Sequence, residues 1–273
     1  MTFAETLHKN YPQLTKSEKK VADYIINSGE KIIYSTLSDI KLKANVGDAT
    51  IVRFCQKLGF SGFSDLKIEI AKENFNTADT HTTTTQHIQD ESIQQLISVL
   101  QSTKNLLNQT DLEAALALIQ KARFIYIFGV GSSGNTSYDL ETMFLRVGIQ
   151  SKACVDPHMQ AQVASLLSEE DLVIGFSLSG KTKDTFDSLT IAKQNHAKVI
   201  AITNNRFSPI ASLADVILQT TVDEFLNGSS LEGKMSQLYL CNLLIKAYEQ
   251  QNKIDPVALR EKVLRSIIDK RID

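Results

Sequence analysis

The stretch Asp171-Leu172-Val173-Ile174-Gly175-Phe176-Ser177-Leu178-Ser179-Gly180-Lys181-Thr182 decides the fold class. The run up to Phe176 is apolar and of strand length. Beyond Thr182, Phe186, Leu189, Ile191 and Ala192 recur with helical spacing. A buried strand therefore feeds a hydroxyl-rich turn, and the turn feeds a helix. Such a turn gathers Ser and Thr hydroxyls, free backbone N–H groups and the positive end of a helix dipole at one point, which suits a phosphate or a similar anion. Read alone, an ordinary Ser-capped strand–helix turn has the same composition.

A second turn of the same kind lies upstream. Phe124-Ile125-Tyr126-Ile127-Phe128 enters Gly129-Val130-Gly131-Ser132-Ser133-Gly134-Asn135-Thr136-Ser137, followed by a helical pattern at Leu140, Met143, Phe144 and Val147. Open parallel sheets bind ligands at the carboxyl ends of their strands, so two such loops can converge on one ligand. The candidate ligand-binding residues are Gly131, Ser132, Ser133, Ser177, Ser179 and Thr182. Gly129, Gly131 and Gly134 also spell the dinucleotide pattern G-x-G-x-x-G, with Asp156 placed where a ribose-binding acid would sit. An NAD site is thus an alternative. It leaves the second hydroxyl-rich loop unexplained, and Ser132 and Ser133 suit side-chain contacts to a single phosphate.

Composition sets the outer bounds. The 273 residues are 42% hydrophobic and 22% charged, ordinary for a globular protein of one or two domains. No apolar run reaches membrane-spanning length, and the Met1-Thr2-Phe3-Ala4-Glu5 start lacks the pattern of a secretory signal. Cys55, Cys154 and Cys241 lie in apolar patterns and form no metal-ligand spacing with the five histidines, so buried reduced thiols in a cytoplasmic protein are expected, with no metal and no cofactor. Residues 1–73 hold 11 Lys and Arg against 9 Asp and Glu, and the remainder 18 against 22. That mild asymmetry permits nucleic-acid binding by the first part without arguing for it.

The segment Asn74–Asp90, NFNTADTHTTTTQHIQD, is polar and Thr-rich, which is the composition of a linker. The expected division is 1–73, 74–90 as linker, and 91–273. The first part is helical throughout. Thr15 and Glu18 have capping-box spacing ahead of Val21, Ala22, Tyr24, Ile25 and Ile26, with a stop near Ser28-Gly29. Ser35 or Thr36 can cap a short helix carrying Leu37, Ile40 and Leu42. Ala44-Asn45-Val46-Gly47 then makes a tight turn with Asn and Gly suited to the left-handed region. Asp48 caps a third helix that Gly59 stops, and Ser64 caps a fourth with Leu66, Ile68 and Ile70. Short helix, tight turn, short helix is the helix-turn-helix arrangement. In the third helix Ile51, Phe54, Cys55 and Leu58 face inward, while Thr50, Arg53 and Lys57 form a polar stripe suited to a major groove and its phosphates. A plain helical bundle with a solvated third helix fits the same periodicity.

Thr50-Ile51-Val52-Arg53-Phe54-Cys55-Gln56-Lys57-Leu58-Gly59-Phe60-Ser61-Gly62-Phe63-Ser64-Asp65-Leu66-Lys67 closely resembles the N-terminal domain of the RpiR family of bacterial transcription regulators. The Gly129–Ser137 loop and Ser177-Leu178-Ser179-Gly180-Lys181-Thr182 resemble that family's sugar isomerase (SIS) domain. The resemblance implies an all-α helix-turn-helix domain that binds operator DNA, followed by an α/β SIS domain that senses a phosphorylated sugar. It implies DNA contacts at Asp48, Ala49, Thr50, Arg53 and Lys57, and assembly as a homodimer or homotetramer. Two positions depart from the family pattern. Where an Arg and, eight residues on, an Asp often stand, this chain has Lys234 and Asn242.

In the second part Ile93, Leu96, Ile97 and Leu100 form one amphipathic helix, and Leu112, Ala115, Leu116 and Ile119 another. Strands are expected near 124–128, 151–155, 172–176, 198–202 and 215–219, with helices between them. That predicts a parallel five-stranded sheet flanked by helices. Asn204 ends the fourth strand beside the same crevice, and His158 in the loop after Asp156-Pro157 is a further candidate contact. Ser208-Pro209-Ile210-Ala211 starts a short helix. The polar segment 223–230 is expected to be mobile. SIS folds also occur in sugar-phosphate isomerases, which need a positioned base. Glu232 is the candidate base here, and in the sensor reading a ligand contact, so an isomerase is the enzymatic alternative to the sensor.

Overall fold

The computed structural model describes residues 3–35, 37–78, 85–221, 230–253, 255–265 and 268. The chain divides into two compact units that part between Thr85 and Gln86. The expected cap Thr36, the core of the polar stretch at 79–84 and most of the segment 223–230 lie outside the described residues.

The first unit is helical: α1 (Phe3–Asn10), α2 (Lys16–Ser28), α3 (Leu37–Ala44), α4 (Asp48–Lys57) and α5 (Phe63–Ala78), with 3-10 turns at Tyr11–Gln13 and Gly29–Tyr34. The capping box forms as its spacing predicts. The Thr15 hydroxyl accepts from Glu18 N, and the Glu18 carboxylate accepts from Thr15 N at 2.7 Å. Asn45 sits in the left-handed region with φ 51°, which Asn tolerates through local hydrogen bonding. Gly47 does not use its freedom: at φ −83° it is the N-cap of α4, so Asp48 is the first helical residue rather than the cap. Its carboxylate instead lies 3.3 Å from Lys41 Nζ. Likewise α5 begins one residue before Ser64, and the Asp65 carboxylate accepts from Ser61 N at 2.8 Å. Val21, Ala22, Ile25, Ile40, Ile51, Phe54, Cys55 and Leu66 form the core. Leu42 is 81% exposed, whereas Ile40 and Ala44 of the same helix are buried and Leu37 packs on the core.

The polar stretch expected as a linker is partly helical: α5 runs to Ala78, and α6 (Thr85–Leu106) opens the second unit. Then follow α7 (Gln109–Lys121), β1 (Phe124–Phe128), α8 (Gly131–Leu145), β2 (Ser151–Cys154), α9 (Pro157–Ala164), β3 (Asp171–Phe176), α10 (Lys183–Gln194), β4 (Lys198–Thr203), α11 (Pro209–Leu213), β5 (Val216–Gln219), α12 (Ser230–Gln251) and α13 (Pro256–Arg265). The five strands are parallel in the order β2-β1-β3-β4-β5. Side chains alternate across the sheet. Ile125, Ile127, Leu172 and Ile174 pack with α7, α8 and α12, while Val173, Val199 and Ala201 pack with α9, α10 and α11. Both faces are covered, as a parallel sheet requires. No helix among the described residues is long and apolar enough to cross a membrane. All three cysteines are buried and free.

The chain leaves β1 toward β2 on one side and resumes at β3 on the other, so the direction of winding reverses between β1 and β3. Loop 177–182 is fastened there by its neighbours. Leu178 O accepts from Asn204 N at 2.8 Å and from the Thr203 hydroxyl at 3.1 Å, and Gly180 O accepts from Ile210 N at 3.1 Å. Gly180 has φ 66°, and a Cβ there would lie 2.0 Å from Ser208 Oγ.

Two substitutions test these supports. Gly180→Ala is expected to destabilise the second unit by about 3 kcal/mol, combining a left-handed penalty of about 1–2 kcal/mol with overpacking of about 1–3 kcal/mol. Thr15→Ala removes an N-cap and is expected to cost the first unit about 1 kcal/mol. Calorimetry should show each change in one unit's transition and leave the other's in place.

Candidate functional site

The candidate site of the second unit is the carboxyl edge of β1 and β3. These strands are hydrogen-bonded neighbours, with Phe128 opposite Gly175, so the loops that follow them start about 5 Å apart. The reversal of winding opens a crevice between those loops, where open α/β sheets hold ligands. Among the described residues, four of the helices that follow strands have their N-caps in view, and these differ. The Asp156 carboxylate caps α9, accepting from Met159 N at 2.9 Å, and the Ser208 hydroxyl caps α11, accepting from Ala211 N at 3.2 Å. Neither α8, after Val130, nor α10, after Thr182, has a side-chain cap. These two helices flank the crevice. Their first-turn N–H groups, with the positive ends of their dipoles, receive no N-cap side chain and are open to an acceptor.

Each predicted residue can now be located. Ser177 is 1% exposed, its hydroxyl 2.9 Å from Thr182 Oγ1 and accepting from Gly180 N at 3.1 Å. It shapes the loop from within. Thr182 is bonded to Ser177 instead of capping α10. Ser179 is half-buried, and its hydroxyl accepts from Lys181 N at 3.2 Å. Gly131 is exposed with φ 59°, and Ser132 and Ser133 form the first turn of α8. Gly129 and Gly134 are packing glycines: a Cβ on Gly129 would meet Ser133 O at 2.8 Å, and one on Gly134 would meet Gly129 O at 3.1 Å. The G-x-G-x-x-G spacing thus reflects close strand–helix contact. Asp156, the ribose-binding acid of the dinucleotide alternative, is committed to capping α9. Glu232 is half-buried in the first turn of α12, and His158 is exposed in the first turn of α9.

Two supporting glutamines escaped the sequence reading. Gln237, buried on α12, donates to Ser133 Oγ at 3.1 Å and accepts from the Thr136 hydroxyl at 3.1 Å. The Ser133 oxygen accepts in that bond, so its hydroxyl proton is not spent on Gln237. Gln160 on α9 donates to Gly129 O at 3.1 Å and to Cys154 O at 2.9 Å, tying the first loop to β2. Thr203 and Ser208 enclose Gly180. Only a buried polar residue on an otherwise apolar helix face could have drawn attention to the glutamines. Lys234, one of the departures from the family pattern, lies 3.2 Å from Asp139 on α8, while Asn242 is exposed.

In the first unit α4 presents the predicted stripe. Ile51, Phe54, Cys55 and Leu58 are buried. Asp48, Ala49, Arg53 and Lys57 are exposed and Thr50 is half-buried. Arg53 has no ion-pair partner among the described residues. Lys57, expected on phosphate, is held instead: its ammonium lies 2.6 Å from Glu18 Oε2. Burial alone would raise the pKa of Glu18, but the Lys57 ammonium and the Thr15 N–H outweigh it and hold that carboxyl below its usual value.

Residues 1–77 match the helix-turn-helix domain of the rpiR family, and residues 118–247 match the SIS domain. An uncharacterized HTH-type transcriptional regulator of Haemophilus influenzae is 35% identical over 96% of this chain and 95% of its own length. One from Clostridium perfringens is 31% identical over 98% of this chain and all of its own. Among solved structures, the Vibrio vulnificus NanR protein complexed with ManNAc-6P superposes with a TM-score of 0.79 at 26% identity, covering 97% of this chain and 98% of that one. With two matched domains in this order and relatives of the same length that are regulators, the chain belongs to the RpiR family of transcriptional regulators, a helix-turn-helix domain joined to a SIS domain, and is not an enzyme.

Proposed function

We propose that this regulator senses a phosphorylated sugar at the crevice between β1 and β3 and binds operator DNA through α4. The observation that carries the reading is the pair of uncapped helices, α8 and α10, flanking one crevice between two capped ones. A phosphate there would meet the first-turn N–H groups together with the hydroxyls of Ser132, Ser133 and Ser179. Ser177 and Thr182 hold the loop in shape from behind. The ManNAc-6P complex of the Vibrio vulnificus protein supports the same ligand class. Glu232 would approach the sugar rather than the phosphate. On the DNA side, Thr50 and Arg53 would read the major groove, with Asp48 and Ala49 at the helix N-terminus beside the backbone. Operator binding by two copies needs an assembly, a homodimer or homotetramer. Exposed Ile88, Ile93 and Ile97 on α6 give a second copy apolar surface to cover.

Calorimetric titration with phosphorylated sugars, beginning with ManNAc-6P, tests the ligand site. Ser179→Ala is expected to weaken the cognate ligand by about 1.5–3 kcal/mol through loss of a charge-assisted hydrogen bond, without lowering the stability of the ligand-free protein. Wild-type affinity in the Ser133→Ala/Ser179→Ala double variant would refute the site.

Arg53→Ala is expected to weaken operator binding by about 1–3 kcal/mol and to relax sequence preference. Ligand and operator should also be coupled. A regulator of this kind shifts DNA affinity by about 5–150-fold, equal to about 1–3 kcal/mol, and the operator must change ligand affinity by the same factor. DNA titrations of the full chain with and without saturating ligand measure it; unchanged operator affinity would end the sensor reading.

A further inference from the structure

The stripe of α4 carries two cations in different circumstances. Arg53 is exposed and makes no ion pair among the described residues. The Lys57 ammonium lies 2.6 Å from Glu18 Oε2, on a side chain only 5% exposed, and also reaches Gln13 O at 3.4 Å. The same carboxylate oxygen accepts from Thr15 N at 2.7 Å. One oxygen thus closes the capping box at the start of α2 and anchors the last turn of α4, 39 residues away in sequence.

Building on the reading of α4 as the DNA-facing helix, we propose that Glu18 and Lys57 are positioning residues of that interface: their ion pair sets α4 against α2 and neutralises Lys57, so that Arg53 meets the DNA and Lys57 does not neutralise a phosphate. The reason is an asymmetry. Handing Lys57 to a phosphate releases one counterion from the DNA. It also strands a nearly buried carboxylate without its counter-charge, which is strongly unfavourable. The carboxylate has no second cation to turn to among the described residues, so the pair persists when DNA arrives. It presents a locally neutral end of the helix beside the charged Arg53.

Salt dependence separates this from an ordinary phosphate contact. The probe is a 30-base-pair duplex of arbitrary sequence, bound by the full chain across a range of salt concentrations. Each neutralised phosphate adds about 0.9 to the slope of log affinity against log salt. Lys57→Met is expected to leave the slope as in the wild type while lowering affinity, because α4 loses its anchor. Glu18→Gln loses the same anchor but is expected to steepen the slope by about 0.9, because it frees Lys57 for a phosphate; Gln at this position still completes the capping box. If Lys57→Met does not fold, Glu18→Gln decides alone. A slope flattened by about 0.9 in Lys57→Met, or unchanged in Glu18→Gln, overturns the proposal. Arg53→Ala is the separate control: if it leaves duplex binding untouched, the reading of α4 fails, whatever the pair does.

Discussion

Backbone N–H groups at a helix start must find an acceptor, and this requirement organises the second unit. Asp156 and Ser208 meet it for the helices after β2 and β4. The helices after β1 and β3 have no such side-chain cap: Thr182 bonds to Ser177 instead, and the Ser133 oxygen accepts from Gln237. The reversal of strand order places those two uncapped helices on either side of one crevice. Topology and local chemistry thus meet at the same point: the direction of winding reverses where the helices lack a side-chain cap. An anion answers that demand in a way that an apolar ligand could not.

Local signals in the sequence were faithful wherever local forces decide. The capping box at Thr15, the left-handed Asn45, the stop at Gly59 and the strand runs depend on residues within a few positions of one another. The misreadings share a different cause. Asp48 is a good N-cap by type, yet Gly47 takes the position and Asp48 pairs with Lys41 from the preceding helix. Leu42 is apolar by type, yet it is exposed on a short helix whose Leu37, Ile40 and Ala44 pack on the core. Ser177 is a serine in a phosphate-type loop, and its hydroxyl is also buried against Thr182 and Gly180 N while its N–H is bonded to β4. Its partners within the loop are near in sequence; the β4 contact is not.

The same limit explains why Gln160, Gln237 and the Glu18–Lys57 pair were invisible. Each joins elements that only the fold brings together, separated by 31, 104 and 39 residues. Spacing within one helix placed Lys57 correctly on the polar stripe, but a stripe records direction and not occupancy. A charged residue that points outward can already be satisfied by a neighbouring helix. Counting exposed cations along a DNA-facing helix therefore overstates the charge it offers to phosphate.

The frame around Gly180 bears on how a ligand would act. Leu178, Gly180 and Ser177 are tied to β4 and α11 by backbone hydrogen bonds, and the loop cannot shift without breaking them. A phosphate would fill a loop that already has its shape, so little of its binding free energy would go into ordering that loop. A ligand moves an equilibrium only by the difference in its affinity for the two states. If the phosphate loop is the same in both, the phosphate contributes affinity and the rest of the sugar contributes the signal. The discriminating contacts must then lie in parts that can change. Within this unit the candidate beyond the phosphate-facing turns is the N-terminal turn of α12, where Glu232 stands. Phosphate recognition would thus rest on the 177–182 loop and the first turn of α8, and sugar recognition on α12, which Gln237 joins to Ser133 of that turn.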